Sequence, residues 1–138
     1  MNSNKLNLVE VLPHEQKVDH RGWLIEVLRK EQVNGSEFGQ IYLTTAHPAK
    51  RKGNHYHTRK TEWFCVVKGM GRLVLEDVET KERSEILMGE ERLVTVKIPP
   101  GVAHMIENAG NEMMYLVIFV NETFSKDDPD TFPYEITA

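Results

Sequence analysis

Lys52-Gly53-Asn54-His55-Tyr56-His57-Thr58-Arg59-Lys60-Thr61-Glu62-Trp63-Phe64-Cys65-Val66-Val67 holds two extended pieces joined by a polar connection. In extended backbone, side chains two positions apart share a face, so His55 and His57 point together, inward or outward. Five positions on, Glu62 opens an apolar run to Val67, and Gly69 begins a turn. Further runs rich in Val, Ile, Leu and aromatic residues lie at Trp23–Leu28, Gln40–Thr45, Arg72–Val78, Ser84–Met88, Leu93–Ile98 and Met113–Val120. Turn-forming pieces such as His47-Pro48, Gly69-Met70-Gly71 and Asn108-Ala109-Gly110-Asn111 separate them. Short strands spaced by about ten residues predict an all-β sandwich or barrel. No window carries a 3.6-residue apolar repeat, so helix should be sparse. The acidic, proline-containing tail, residues 125–133, reads as irregular structure wrapped on the barrel.

A chain of 138 residues is expected to be a single domain over 1–138. At this length about two-thirds of the unfolded surface is buried, enough for one core without a disulfide or structural metal. The lone cysteine, Cys65, sits in an apolar run and is read as a small buried hydrophobe, which fits a reducing compartment. No apolar run approaches the ~20 residues that span a bilayer. Residues 1–20 are mostly polar and lack the apolar core of a secretory signal. The expectation is a cytoplasmic protein with no membrane partner. A net charge of −4 and scattered basic residues exclude a nucleic-acid face. The short basic group Lys50-Arg51-Lys52 is read as a solvated loop.

Imidazole nitrogens and a carboxylate are good ligands for divalent transition metals. His55, His57 and Glu62 are joined by a third histidine, His104, just past the turn Pro99-Pro100-Gly101 and followed by Asn108. Three histidines and a glutamate leave open positions on an octahedral ion, which distinguishes a reactive metal from a structural one. The pair of patterns, H-x-H-x4-E-x6-G over 55–69 and P-x-G-x2-H-x3-N over 99–108, resembles the two motifs of the cupin superfamily. That resemblance implies a single cupin domain, a double-stranded β-helix or jelly-roll barrel, with His55, His57, Glu62 and His104 as ligands. Where the family usually has motif-opening glycines this chain has Ala49 and Leu93, a departure in turn geometry that leaves the ligand set intact. His14, His20 and His47 have no ligand-like spacing and are read as loop or surface residues.

Three segments, Lys52–His57, Ile98–Asn108 and Val120–Thr131, are similar to the C-terminal cupin of bifunctional capsular polysaccharide enzymes. There a reductase domain precedes a cupin thought to bind zinc and epimerise C3 of a UDP-linked 4-keto-6-deoxy amino sugar. No reductase domain is expected within 1–138, so a ketone product would be expected to pass to another protein. Asp19-His20-Arg21-Gly22-Trp23-Leu24-Ile25-Glu26 and Lys52-Gly53-Asn54-His55 more loosely resemble segments of the dTDP-sugar 3,5-epimerases and 3,4-ketoisomerases. In those relatives nearby arginines contact the nucleotide and the histidine is a general base without metal. The resemblance makes Arg21, Lys52 and Asn54 substrate-binding candidates and His55 a catalytic one. If His55 instead ligates metal, Tyr56, Tyr115 and Lys60 are the candidate bases.

The expected function is epimerisation at C3, or keto-isomerisation, of a nucleotide-linked 4-keto-6-deoxyhexose for surface polysaccharide, through a metal-stabilised enolate. The expected cofactor is a divalent metal, zinc first, with iron, manganese or nickel as alternatives. A metal-dependent oxygenase and a non-catalytic sugar-nucleotide binding module are the rival readings. A homodimer is expected, with Leu6–Leu12 as a candidate exchanged strand.

Overall fold

Along Met114–Val120 every second side chain is buried, Met114, Leu116, Ile118 and Val120, while Tyr115, Val117 and Phe119 between them are half-buried on the other face. This period of two puts one face of a strand against a core. The computed structural model describes residues 4–33 and 35–137. Its strands are β1 (Glu10–Pro13), β2 (Lys17–Asp19), β3 (Gly22–Leu24), β4 (Gln40–Ala46), β5 (Arg51–Tyr56) and β6 (Glu62–Lys68). They continue as β7 (Met70–Asp77), β8 (Arg83–Gly89), β9 (Val94–Ile98), β10 (Val102–Asn108), β11 (Met114–Val120) and β12 (Phe132–Pro133). Two five-stranded antiparallel sheets result, ordered β1-β9-β6-β11-β4 and β12-β5-β10-β7-β8. Phe64, Val66, Leu73, Leu75, Met88, Val96, Ile106 and Leu116 from both sheets form the interior cluster. A smaller cluster, Val74, Ala103 and Met105 with Ile136 of the tail, covers the back of the second sheet.

The all-β jelly-roll expected from the sequence is the architecture found, and its helical content is confined to two 3-10 turns, Lys5–Leu8 and Lys30–Val33, among the described residues. No helix among them is long and apolar enough to cross a membrane. Cys65 is fully buried and unpaired. Three details differ from the sequence reading. The run Trp23–Leu28 is extended only to Leu24, where it closes a separate two-stranded sheet, β2–β3, because its partner is a short exposed hairpin arm. Val102–Asn108, absent from the runs read as strands, is a full strand between β5 and β7, with Val102, Ala103, Met105 and Ile106 buried. Leu6–Leu12 divides into a 3-10 turn and β1, and β1 pairs with β9 of its own chain, Val11 opposite Val96.

The register between β10 and β5 carries a bulge: His104 faces His55, and the next residue, Met105, faces Gly53. Asn54 is the extra residue, at φ 59°, and Gly53 beside it has φ 100°. A Cβ on Gly53 would stand 2.7 Å from the His104 carbonyl oxygen, so glycine lets the two ligand-bearing strands approach. Gly53→Ala should therefore cost about 2 kcal/mol or more and lower the melting temperature by about 5–10 °C. A thermal melt equal to that of the unaltered chain would show that the strands do not approach this closely.

Candidate metal centre

The loop 57–61 crosses from the second sheet to the first, so His57 and Glu62 face each other across the barrel from opposite ends of one short connection. Glu62 begins β6, between β9 and β11, and shares its inward face with Phe64 and Val66. His104 lies in mid-sheet on β10. The ligand atoms of His55, His57, Glu62 and His104 all lie within 4.8 Å of one another. The last three are nearly fully buried, and His55 is half-buried at the edge of the group.

Glu62 Oε1 is 2.8 Å from His57 Nε2 and 3.0 Å from His104 Nε2. Burial pushes the Glu62 carboxyl up, but the two imidazoles facing it, His104 and His57, more than offset this and hold it below the usual carboxylate range. His57 is lowered by burial, yet Glu62 and the backbone of Asp130 together raise it. Its Nδ1 meets the Asp130 carbonyl oxygen at 2.6 Å, so acceptors stand at both ring nitrogens. His104 Nε2 is a buried nitrogen without a hydrogen bond, since Glu62 lies near it but off the bonding direction. His55 is lowered to about 4, first by burial and then by the charges of His104 and His57.

These observations fit a divalent cation. Three imidazoles and one carboxylate are a borderline-soft donor set, an orphaned ring nitrogen needs an electrophile, and a metal at His57 Nε2 would take the place of the proton shared with Glu62. The second partners are also present: His57 Nδ1 is fixed by Asp130, and His104 Nδ1 lies 3.3 Å from the Val102 carbonyl.

Two cavities meet at the quartet and share Tyr42, His55 and Glu62. The outer one, about 330 Å³, is lined also by Gln40, His57, Lys60, Glu122, Phe124 and Thr131. The inner one, about 290 Å³, reaches Thr44, Lys52, Phe64, Ile106, Leu116 and Ile118. Of the catalytic candidates, Lys60 lines the outer cavity with its amine donating to the Pro129 carbonyl at 3.0 Å. Tyr56 stacks on Phe132 and packs with the cluster behind the second sheet, and Tyr115 stands on the outer face of β11. Neither lines a cavity beside the quartet. Lys52 lines the inner cavity and donates to Thr44 Oγ1. Asn54 instead pins the tail: its carbonyl accepts from the Tyr134 N–H and its side chain from the Ile136 N–H. Arg21 lies on the separate hairpin, exposed and paired with Asp19 at 2.6 Å.

Two residues escaped the sequence reading. Tyr42 faces inward from β4 and donates to Glu62 Oε2 at 3.4 Å. Burial and the Glu62 charge push its phenol well above the usual range, so it stays a donor. Asp130 was hidden in the acidic tail. Its carboxylate accepts from the Thr58, Arg59 and Lys60 backbone N–H groups at 3.0, 2.8 and 3.1 Å, and from the Thr58 hydroxyl. A positive φ of 46° turns its own carbonyl onto His57. The P-D dipeptide before Thr131 is the one local hint.

A jelly-roll barrel with three inward imidazoles and one carboxylate at its mouth defines a cupin-type protein. More closely, the chain belongs to the polysaccharide biosynthesis C-terminal domain family, which matches it over residues 17–132. It is 37% identical over 114 residues to a UDP-2-acetamido-2,6-beta-L-arabino-hexul-4-ose reductase of Pseudomonas aeruginosa, covering 83% of this chain and 29% of that protein. The chain thus spans under a third of that relative. The capsular polysaccharide assembling protein CapF of Staphylococcus aureus superposes with a TM-score of 0.70 at 35% identity, over 90% of this chain and 33% of that one. A dTDP sugar isomerase from Desulfovibrio desulfuricans has the same fold, with a TM-score of 0.84 at 20% identity over 94% and 85% of the two chains.

The Asp130 carboxyl is raised by burial, but its bonds to Thr58, Arg59 and Lys60 hold it well below the usual range. Asp130→Ala should cost about 2 kcal/mol or more at pH 7, because it strands three backbone donors. A carboxyl depressed in the folded state stabilises fully above its unfolded value, near 4, and progressively less below it. Urea unfolding should therefore show the gap between variant and unaltered chain narrowing from about pH 5 toward pH 2; a gap independent of pH would refute this role for the charge.

Proposed function

We propose that this chain acts on a nucleotide-linked 4-keto-6-deoxyhexose, epimerising C3 or moving the ketone, in the making of a surface polysaccharide. The observation that carries the reading is the convergence of three imidazoles and a carboxylate at the junction of two cavities in the barrel. The family's place in polysaccharide biosynthesis and the UDP-sugar named for the Pseudomonas relative support the substrate class. A cytoplasmic location follows from that substrate class and the unpaired Cys65.

A ketone at C4 acidifies the proton on C3, so the site must take that proton and stabilise the negative charge left on oxygen. His55, His57, Glu62 and His104 would hold a divalent ion, zinc first and iron, manganese or nickel in its place, which when bound supplies Lewis-acid polarisation. The Tyr42 hydroxyl is placed to donate to an oxygen entering beside Glu62. Lys60 and His55 are the proton acceptors that line the outer cavity, with His55 serving only where it is not a ligand. Return of the proton to the opposite face of C3 inverts it, and delivery to C4 of the enediol moves the ketone.

Incubation in D2O with a UDP- or dTDP-linked 4-keto-6-deoxy sugar, followed by NMR, should show deuterium entering C3 faster than in buffer and slowing after chelation. No exchange by metal-loaded protein with either nucleotide would leave a binding module or an oxygenase. Elemental analysis should find about one divalent ion per chain and close to none in Glu62→Gln or His104→Ala. Equal content in these variants would remove the quartet as the metal site.

We also propose a homodimer, supported by exposed Val18, Trp23 and Leu24 on the β2–β3 hairpin and by Ile41 and Leu43 on the edge strand β4. A two-stranded hairpin is marginal alone, so it gains most from a partner surface. Light scattering should give twice the chain mass, and a monomeric mass would refute the pairing.

A further inference from the structure

A recess on the outer face of the first sheet shares no lining residue with the two cavities at the quartet. Its floor is Ile41 of β4, Trp63 of β6, and Val117 and Phe119 of β11. The opposite wall comes from the connection between β3 and β4, which is tied to the sheet at two points. Thr95 Oγ1 donates to the Val27 carbonyl at 2.5 Å, and Phe38 packs on Phe119 with ring centroids 5.6 Å apart. The recess holds about 430 Å³ and is mostly apolar, inside the range of roughly 300–1,000 Å³ that houses small ligands.

Trp63 follows Glu62 on β6, so it turns to the other face of the strand, out of the barrel and onto this recess. It is 2% exposed, and its indole Nε1 is buried with no acceptor among the described residues. A buried donor left unpaired is uncommon and costly. The other polar side chains of the lining do not relieve it. Arg29 and Lys30 can only donate, and both are exposed, with Arg29 held by Glu26 at 3.0 Å and Glu31 at 3.3 Å. Ser36 also lines the recess and makes no bond to the indole.

We propose that this recess binds a small apolar molecule carrying one uncharged hydrogen-bond acceptor, a ketone, ester or lactone, whose carbonyl oxygen accepts from the Trp63 N–H. The apolar walls take the body of the molecule and the indole fixes its orientation. The acceptor is uncharged because a carboxylate drawn in beside the indole would lose its hydration with no buried cation to offset the loss. The Lys30–Val33 turn belongs to neither sheet and is the part of the wall that yields as the ligand reaches the indole. None of this depends on the chemistry at the quartet.

Acetophenone and α-methylstyrene have the same shape and differ in carrying a carbonyl oxygen or a CH2 group, so together they test the bond. The chain's two tryptophans, Trp23 and Trp63, give two indole N–H resonances, which Trp23→Phe tells apart. Acetophenone should saturate at one per chain and move the Trp63 resonance to lower field, while α-methylstyrene should bind without that movement. In Trp63→Phe the affinity for acetophenone should fall about 10-fold and that for α-methylstyrene should hold. The resonance measurement on the unaltered chain decides the matter even if this variant does not fold. Binding of neither molecule, or binding of acetophenone with the Trp63 resonance unmoved, would overturn the site. Equal loss of both affinities in folded Trp63→Phe would overturn the role of the N–H. Movement of the resonance on concentrating the protein alone would give the recess to a second copy of the chain and overturn the ligand.

Discussion

Burying a carboxylate inside an apolar barrel is the constraint on which the rest of this structure turns. Glu62 is only 4% exposed and shares a strand face with Phe64 and Val66. A lone charge in such a place costs far more than a small domain can tolerate, so it has to be met by cations or by a metal. Two imidazoles meet it here, at 2.8 and 3.0 Å, and a third stands beside them. The arrangement is stable enough to fold around and remains short of bonds, because His104 Nε2 has no hydrogen bond at all.

Holding three histidines to one carboxylate requires that two sheets be tied together at one end. The short loop 57–61 does this, and its conformation comes from outside itself. Asp130, from a tail more than sixty positions away, caps three successive backbone N–H groups of the loop and fixes the His57 ring through its own carbonyl. Arg59 pairs with Glu122 and Asp128, and Asn54 binds the backbone of Tyr134 and Ile136. The tail is thus part of the site's support. Its own packing on Val74, Ala103 and Met105 links the site to a second hydrophobic cluster.

Two cavities meet at the quartet beside strands β4 and β5. β4 ends the first sheet and β5 lies near the end of the second, covered only by the two residues of β12. Both cavities reach the quartet, and Tyr42, His55 and Glu62 line both.

Period-two runs and their turn residues made the all-β barrel legible in the sequence, because alternate burial on a strand is a local property. The spacing of His55, His57 and Glu62 was legible too, since two residues on one strand face and the ends of a short loop are held at nearly fixed separations. His104, far along the chain, joined them only through the resemblance of the two motifs to the cupin family. The roles of Tyr56, Tyr115 and Asn54 were not legible: the first two turn to the outer faces of their sheets, and Asn54 is spent on a bulge and a tail contact. Tyr42 and Asp130 went unseen for the converse reason, lying in an ordinary strand and an acidic tail. Only the tertiary structure brings them to Glu62 and His57, because such contacts depend on how the sheets stack and the tail folds back, and no local spacing encodes that.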